Sequence, residues 1–192
     1  MFCVKDQYSI IASDFSKSRY KKWDCVNDFL SNIDKTDKIL ELGCGNGKNI
    51  YDIKDQSIGV DICPEFCKIC RDKGINVIES NILNVDFPEE SFDYILCIAV
   101  IHHIKEEADK IKLLNIIKKI LKTNGKALIT GWTTQESMRN LVHGDNIIKF
   151  GKNERYYYIF NQYELYDLCK KIFDNITYKF EYYNDIISVT KN

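Results

Sequence analysis

The chain has 192 residues, 45% apolar and 29% charged, with a formal net charge of −1. That is enough for one well-buried domain and too little for two ordinary ones, so a single domain over 1–192 is expected. The near-neutral charge excludes nonspecific nucleic-acid binding, which leaves only local RNA contacts, and no apolar run approaches the roughly 20 residues of a membrane span.

The start, MFCVKDQYSI, lacks the basic-then-apolar plan of a signal peptide, so a cytoplasmic protein with reduced thiols is expected. Cys67-x-x-Cys70 has metal-ligand spacing, but a four-thiolate site needs a second pair and none is present, so no metal is expected. Residues 8–20 place Tyr8, Ile11, Ala12, Phe15 and Arg19 on one helical face. Asp24 is expected to cap a second helix with Val26, Phe29, Leu30 and Ile33 inward; residues 1–33 thus form an N-terminal helical lid or substrate segment.

The apolar run Ile39-Leu40-Glu41-Leu42 predicts a buried strand, followed by the turn Gly43-Cys44-Gly45-Asn46-Gly47. Glycines there allow a tight turn and close approach of a ligand to main-chain N–H groups. A dinucleotide fingerprint would read G-x-G-x-x-G with its acid downstream; here the spacing is G-x-G-x-G with Glu41 ahead of it, which argues against a nicotinamide-dependent dehydrogenase. Residues 57–62 predict a second strand ending near Asp61, whose carboxylate could accept both ribose hydroxyls of an adenosine or favour the start of the following helix. Pro64 suits the first turn of that helix, which should run to Gly74.

Residues 75–79 predict a third strand. Asn81 follows it, placed either to accept a bond from an adenine amino group or to shape a turn, and Ile82 could pack on the adenine face. Residues 92–101 predict a long fourth strand reaching Ala99 and ending in His102-His103; on a strand one imidazole packs while the other, expected to be His103, faces the pocket. A helix over 106–121 should stop at Asn124-Gly125, before a fifth strand over 126–132. A short loop region, a helix near 162–172 and two strands, near 176–183 and 185–190, complete the chain.

Alternating strands and helices predict an α/β fold: a mostly parallel, doubly wound seven-stranded sheet with an antiparallel hairpin at one edge. Ligands in such sheets sit at the carboxyl ends of the strands, where the order reverses. Lys17, Arg19, Lys21 and Lys22 interleave with Tyr20 and Trp23 in SKSRYKKW, a pattern suited to phosphates and bases; Tyr156 to Tyr158 after Arg155 form a similar block that could equally be strand-edge aromatics.

The glycine turn resembles the first motif of the class I S-adenosylmethionine methyltransferases. The full set of blocks is I-A-S-D-F-S-K-S-R-Y-K-K-W, E-L-G-C-G-N-G-K, E-F-C-K-I-C-R-D-K-G, I-A-V-I-H-H, T-G-W and R-Y-Y-Y-I-F-N-Q-Y-E-L. Together they resemble the tRNA methyltransferases that esterify a carboxymethyl group on the wobble uridine. The resemblance implies a cofactor, S-adenosylmethionine, held by Glu41, Gly43, Gly45, Asn46, Gly47, Asp61, Asn81, Ile82 and Ala99. It implies that Arg19 and His103 hold the uridine's carboxylate, with Trp132 and the cation–aromatic blocks around the tRNA anticodon loop. It also implies a small zinc-binding activator subunit at the sheet edge near Ile75–Ser80. Lys22 departs from the family's proline, Asn81 from its common acid, and residues 133–154 replace a longer insertion. A methyltransferase for a small molecule and a non-catalytic scaffold of the same fold are the alternative readings.

Overall fold

The computed structural model describes residues 4–134 and 141–192. Helix α1 (Val4–Ser18) and the short α2 (Asp24–Phe29) precede a seven-stranded sheet. Its strands are β1 (Ile39–Leu42), β2 (Ser57–Asp61), β3 (Val77–Glu79), β4 (Phe92–Cys97), β5 (Leu121–Trp132), β8 (Asn175–Glu181) and β9 (Asn184–Thr190), with α3 (Pro64–Asp72), α4 (Glu107–Ile120) and α5 (Glu164–Lys170) between them. The order is β3-β2-β1-β4-β5-β9-β8, in which β9 and β8 run antiparallel. The fold class expected from the sequence is the one observed. Among the described residues no helix is long and apolar enough to cross a membrane.

Parallel neighbours need crossovers, and helices cover both faces of this sheet. Leu40, Leu42, Ile95 and Cys97 meet α4 and α5 in one core. Ile39 and Leu96, on the opposite face, meet Val26 and Leu30 at the other helical layer, with Cys67 and Cys70 of α3. Two further free thiols, Cys97 in the first core and Cys44 in the second, are buried as small hydrophobic groups. Pro64 occupies the first turn of α3, and Gly74 closes it at φ +73°.

The structure departs from the sequence expectations in several places. Helix α1 ends at Ser18, leaving Arg19 in the connection, and Trp23 rather than Asp24 is the cap residue of α2. Strand β3 covers only Val77–Glu79. Strand β4 stops at Cys97; Ala99 takes φ +57° and Ile101–His103 form a 3-10 turn. Helix α4 stops at Ile120, before the expected Asn124-Gly125. The expected loop before α5 contains a hairpin, β6 (Gly144–Phe150) with β7 (Asn153–Ile159), forming a second sheet. It packs where α1 crosses: Phe15 of α1 lies 5.8 Å from both Phe66 and Phe150. Of the segment 133–154, residues 135–140 lie outside the described residues, as does Cys3.

Gly47 has φ +72°, and a Cβ there would lie 2.4 Å from Ile75 Cδ1 and 3.0 Å from Cys70 Sγ. The left-handed conformation alone costs a non-glycine residue about 1–2 kcal/mol, and overpacking adds to it. Gly47→Ala is therefore expected to lower stability by about 2–4 kcal/mol in urea unfolding; an unchanged midpoint would contradict the packing described.

Candidate active site

Because β1 pairs with β2 on one side and β4 on the other, the strand order reverses at its carboxyl end. A cavity of about 420 Å³ opens there. Glu41, Gly43, Gly45, Asp61, Asn81, Ile82 and Ala99 line one end; Tyr8, Arg19, His102, His103, Trp132, Arg155 and Tyr157 line the other.

At the first end, Glu41 is buried and accepts a 2.6 Å bond from Asn49 Nδ2. Its Oε2 has no partner among the described residues. Burial pushes the carboxyl up to about 8, against the opposing pull of the Asn49 amide. Gly45 has φ +54°, and a Cβ there would meet nothing within 4 Å. Its N–H donates to Asp61 Oδ2 at 2.7 Å, while Asp61 Oδ1 accepts the Cys63 N–H at 2.9 Å. Burial raises the Asp61 pKa, and these main-chain donors oppose that rise. Asp61 thus ties the glycine loop to the residue that precedes α3, and each oxygen keeps further acceptor capacity.

Two residues grouped with the ligand loop do other work. Asn46 Nδ2 donates to Ser16 Oγ at 3.1 Å and to the Arg19 carbonyl at 3.1 Å, tying the loop to the end of α1. Gly47 packs against Ile75 and Cys70 and does not line the cavity. Asn81 Oδ1 caps the next turn through the Leu83 N–H at 2.9 Å, so the turn reading describes its carbonyl. The Ala99 N–H donates to Thr130 Oγ1 at 2.8 Å, which holds the bend beyond β4.

At the other end, His102 and His103 both reach the cavity, because a 3-10 turn does not alternate its side chains as a strand does. His103 Nδ1 donates to the Tyr156 carbonyl at 2.9 Å, which leaves Nε2 to accept from Tyr8 Oη at 3.0 Å. His102 Nδ1 accepts the Trp132 N–H at 3.2 Å, so its proton sits on Nε2. Burial pushes His103 down to about 4 and His102 well below its ordinary value. Both imidazoles are neutral at pH 7. His103 has no ring nitrogen to spare for a substrate; it positions the Tyr8 hydroxyl.

Arg155 is buried, yet no acidic side chain lies within 4 Å of its guanidinium among the described residues. Its Nη1 donates to Tyr157 Oη at 2.7 Å, and its Nε has no partner there. The rings of Tyr8, Phe15, Phe150 and Tyr157 surround it at 5.1–5.9 Å. Trp132 stacks on Tyr157 at 4.7 Å. Strand alternation puts Arg155 and Tyr157 in the cavity and turns Tyr156 away, where its hydroxyl donates to Asp145. Tyr156 therefore contributes only its carbonyl, through His103. Tyr8 was not picked from sequence as a site residue, and Tyr157 was seen only within the aromatic block after Arg155; period-two spacing from Arg155 was the signal that separates it from Tyr156.

SKSRYKKW divides. Arg19 is exposed at the rim shared with a second cavity of about 510 Å³, which Tyr20, Lys21, Lys22 and Trp23 line. Lys22 pairs with Asp52 at 3.0 Å and Lys21 with Asp24 at 3.8 Å. Lys17 pairs with Asp14 and touches neither cavity.

A glycine loop between an acid-bearing β1 and an acid-ended β2 is set at the switch point of this sheet, where ligands of doubly wound folds bind. A family model described as a methyltransferase domain matches residues 40–129. In sequence the chain is a relative of the tRNA (carboxymethyluridine(34)-5-O)-methyltransferases. It is 35% identical over 136 residues to the Arabidopsis thaliana enzyme, covering 70% of this chain and 34% of that one. It is 36% identical over 139 residues to the Schizosaccharomyces pombe enzyme, covering 69% and 58%. The chain thus spans between a third and three fifths of the length of these relatives. In fold it is similar to a Haloferax volcanii methyltransferase solved in complex with the Trm112 methyltransferase activator, with a TM-score of 0.70, 13% identity and coverage of 99% and 98%.

A buried acid held at a pKa of about 8 binds a proton in the folded state that the unfolded chain has released. Between the ordinary carboxylate value and about 8, stability therefore falls as pH rises. Glu41→Gln is expected to flatten that part of the fall in thermal midpoint between pH 5 and 8; an identical slope in the variant would remove the assignment. Gly45→Ala, whose Cβ enters open space, is expected to cost only about 1–2 kcal/mol of stability but to abolish most cofactor affinity, measured by titration calorimetry.

Proposed function

We propose that this domain transfers the methyl group of S-adenosylmethionine to the carboxylate of 5-carboxymethyluridine at the tRNA wobble position. The observation that carries the reading is Arg155: a buried guanidinium with no acidic partner among the described residues, lining the same cavity as the glycine loop. Burying a cation without a counter-charge is unfavourable, and an incoming carboxylate supplies that charge. Guanidinium and carboxylate also match in a planar, two-bond grip. The names of the sequence relatives support this choice of anion.

The residues present fit the cofactor. Gly45 leaves the loop open to close approach, Glu41 Oε2 is an unpartnered buried oxygen that becomes an acceptor once a cationic group displaces its proton, and Asp61 keeps acceptor capacity for hydroxyls. Gly43, Asn81, Ile82 and Ala99 complete that end. When bound, S-adenosylmethionine supplies an electrophilic methyl group on a positively charged sulfur.

The substrate end needs no proton acceptor. A carboxyl group with a pKa near 4 is already ionised at neutral pH, so its oxygen is ready to attack. The protein's tasks are desolvation and alignment to about 3–3.5 Å. Arg155 binds the carboxylate, the hydroxyls of Tyr8 and Tyr157 stand beside it, and His103 fixes Tyr8. The Trp132–Tyr157 stack offers a face to the uracil ring. Arg19, foreseen as the main clamp, lies at the rim and serves entry. The proposal extends to a zinc-binding activator subunit along β3, an unpaired sheet edge where Ile78 is 41% exposed.

Incubation with S-adenosylmethionine and tRNA bearing carboxymethyluridine is expected to yield the methyl ester by nucleoside mass spectrometry; no mass shift, even with an activator present, would overturn the reading. Arg155→Ala should lower kcat/KM for tRNA by about 100-fold or more, as loss of a charged hydrogen-bonding partner does, with cofactor affinity intact; Arg155→Lys should recover part, and Arg19→Ala should cost less than Arg155→Ala. With both imidazoles neutral, kcat should be nearly flat from about pH 6.5 to 9, whereas a tenfold rise per pH unit would indicate a substrate that must lose a proton.

A further inference from the structure

The second cavity is not used by the chemistry above. It shares Arg19, Trp23, Lys48 and Trp132 with the first, so one is reached past the wall of the other. Its outer wall is the turn joining β8 to β9, Tyr182–Tyr183. Both tyrosines have left-handed backbone, φ 46° and 64°. Two-residue hairpin turns of this kind favour Asn-Gly, because a side chain there is strained. Tyr182 is 75% exposed, so little packing offsets that strain.

The turn is nonetheless firmly placed. The Tyr183 carbonyl accepts the Thr133 N–H at 3.0 Å, and Asn184 Nδ2 donates to the Tyr182 carbonyl at 2.7 Å. Asn184 pairs with Trp132, so the turn stands beside the end of β5 that borders the first cavity. Tyr20, 79% exposed, lines the same space. Four cations and two carboxylates border it, and Arg19 has no acidic partner within 4 Å among the described residues. Strained, exposed aromatic rings held beside unpaired positive charge are a pattern for stacking unpaired bases while a phosphate is neutralised.

We propose that this cavity takes the single-stranded RNA nucleotides adjoining the target uridine, with bases on Tyr182 and Tyr20 and a phosphate at Arg19. The inference rests on the RNA reading of the first cavity. Its test replaces the turn by the residues its backbone prefers, Tyr182→Asn with Tyr183→Gly. Binding of a fluorescent anticodon stem-loop RNA is measured at fixed salt, next to thermal midpoint and S-adenosylmethionine affinity. The expected result is about a tenfold loss of RNA affinity, of the size of one stacked base, with an unchanged or higher midpoint and unchanged cofactor affinity. Equal RNA affinity in variant and wild type would overturn the proposal, as would wild-type protein that does not bind the stem-loop. Wild-type binding that weakens in the variant, without methyl ester forming on carboxymethyluridine tRNA, would leave this cavity assigned and overturn the proposed reaction instead.

Discussion

The site hangs on the carboxylate of Asp61. One oxygen holds the Gly45 N–H and the other the Cys63 N–H, so a single side chain joins the turn after β1 to the turn after β2. Charge-assisted bonds to main-chain donors are among the stronger ones available, and these are out of bulk water. The glycine loop is thereby fixed where the strand order reverses. Asn46, in the same loop, then reaches to Ser16 and Arg19 and holds the end of α1 over the opening. The helix brings Tyr8 with it, and Tyr8 meets His103 and Arg155. A chain of named contacts thus runs from the glycine loop to Arg155.

The two ends solve opposite electrostatic problems. Glu41 is a buried acid with an unused oxygen, and Arg155 is a buried cation with no acid beside it among the described residues. Each is unfavourable alone, because a charge taken out of water loses its hydration. Glu41 meets the cost by keeping its proton. Arg155 cannot do so, and is instead surrounded by aromatic faces, whose quadrupoles attract a cation.

Much of this was legible in the sequence because it is written locally. An apolar run ended by glycine marked β1, one ending near Asp61 marked β2, Pro64 marked the start of α3, and two closely spaced strands marked the antiparallel edge. The hairpin β6–β7 was not legible: its buried face carries Arg155 and Tyr157 beside Ile148 and Ile159, so polar residues interrupt the apolar alternation that announces a strand. Missing the hairpin also hid which tyrosine faces inward. The end of β4 was misplaced for a different reason. FDYILCIAVI is apolar from Tyr94 onward, and the bend at Ala99 depends on Thr130, 31 residues away. A contact at that separation leaves no local mark, so a strand pattern was wrongly extended to the histidines.

The fixed tautomers of those histidines bear on the fate of what is made. A methyl ester is labile to water wherever a neighbouring base can draw off a proton. Here His103 presents its only basic nitrogen to Tyr8, and His102 spends its own on the Trp132 amide. Neither imidazole can activate water, so in the proposed reaction the methyl ester would be spared general-base hydrolysis by these histidines before the RNA departs.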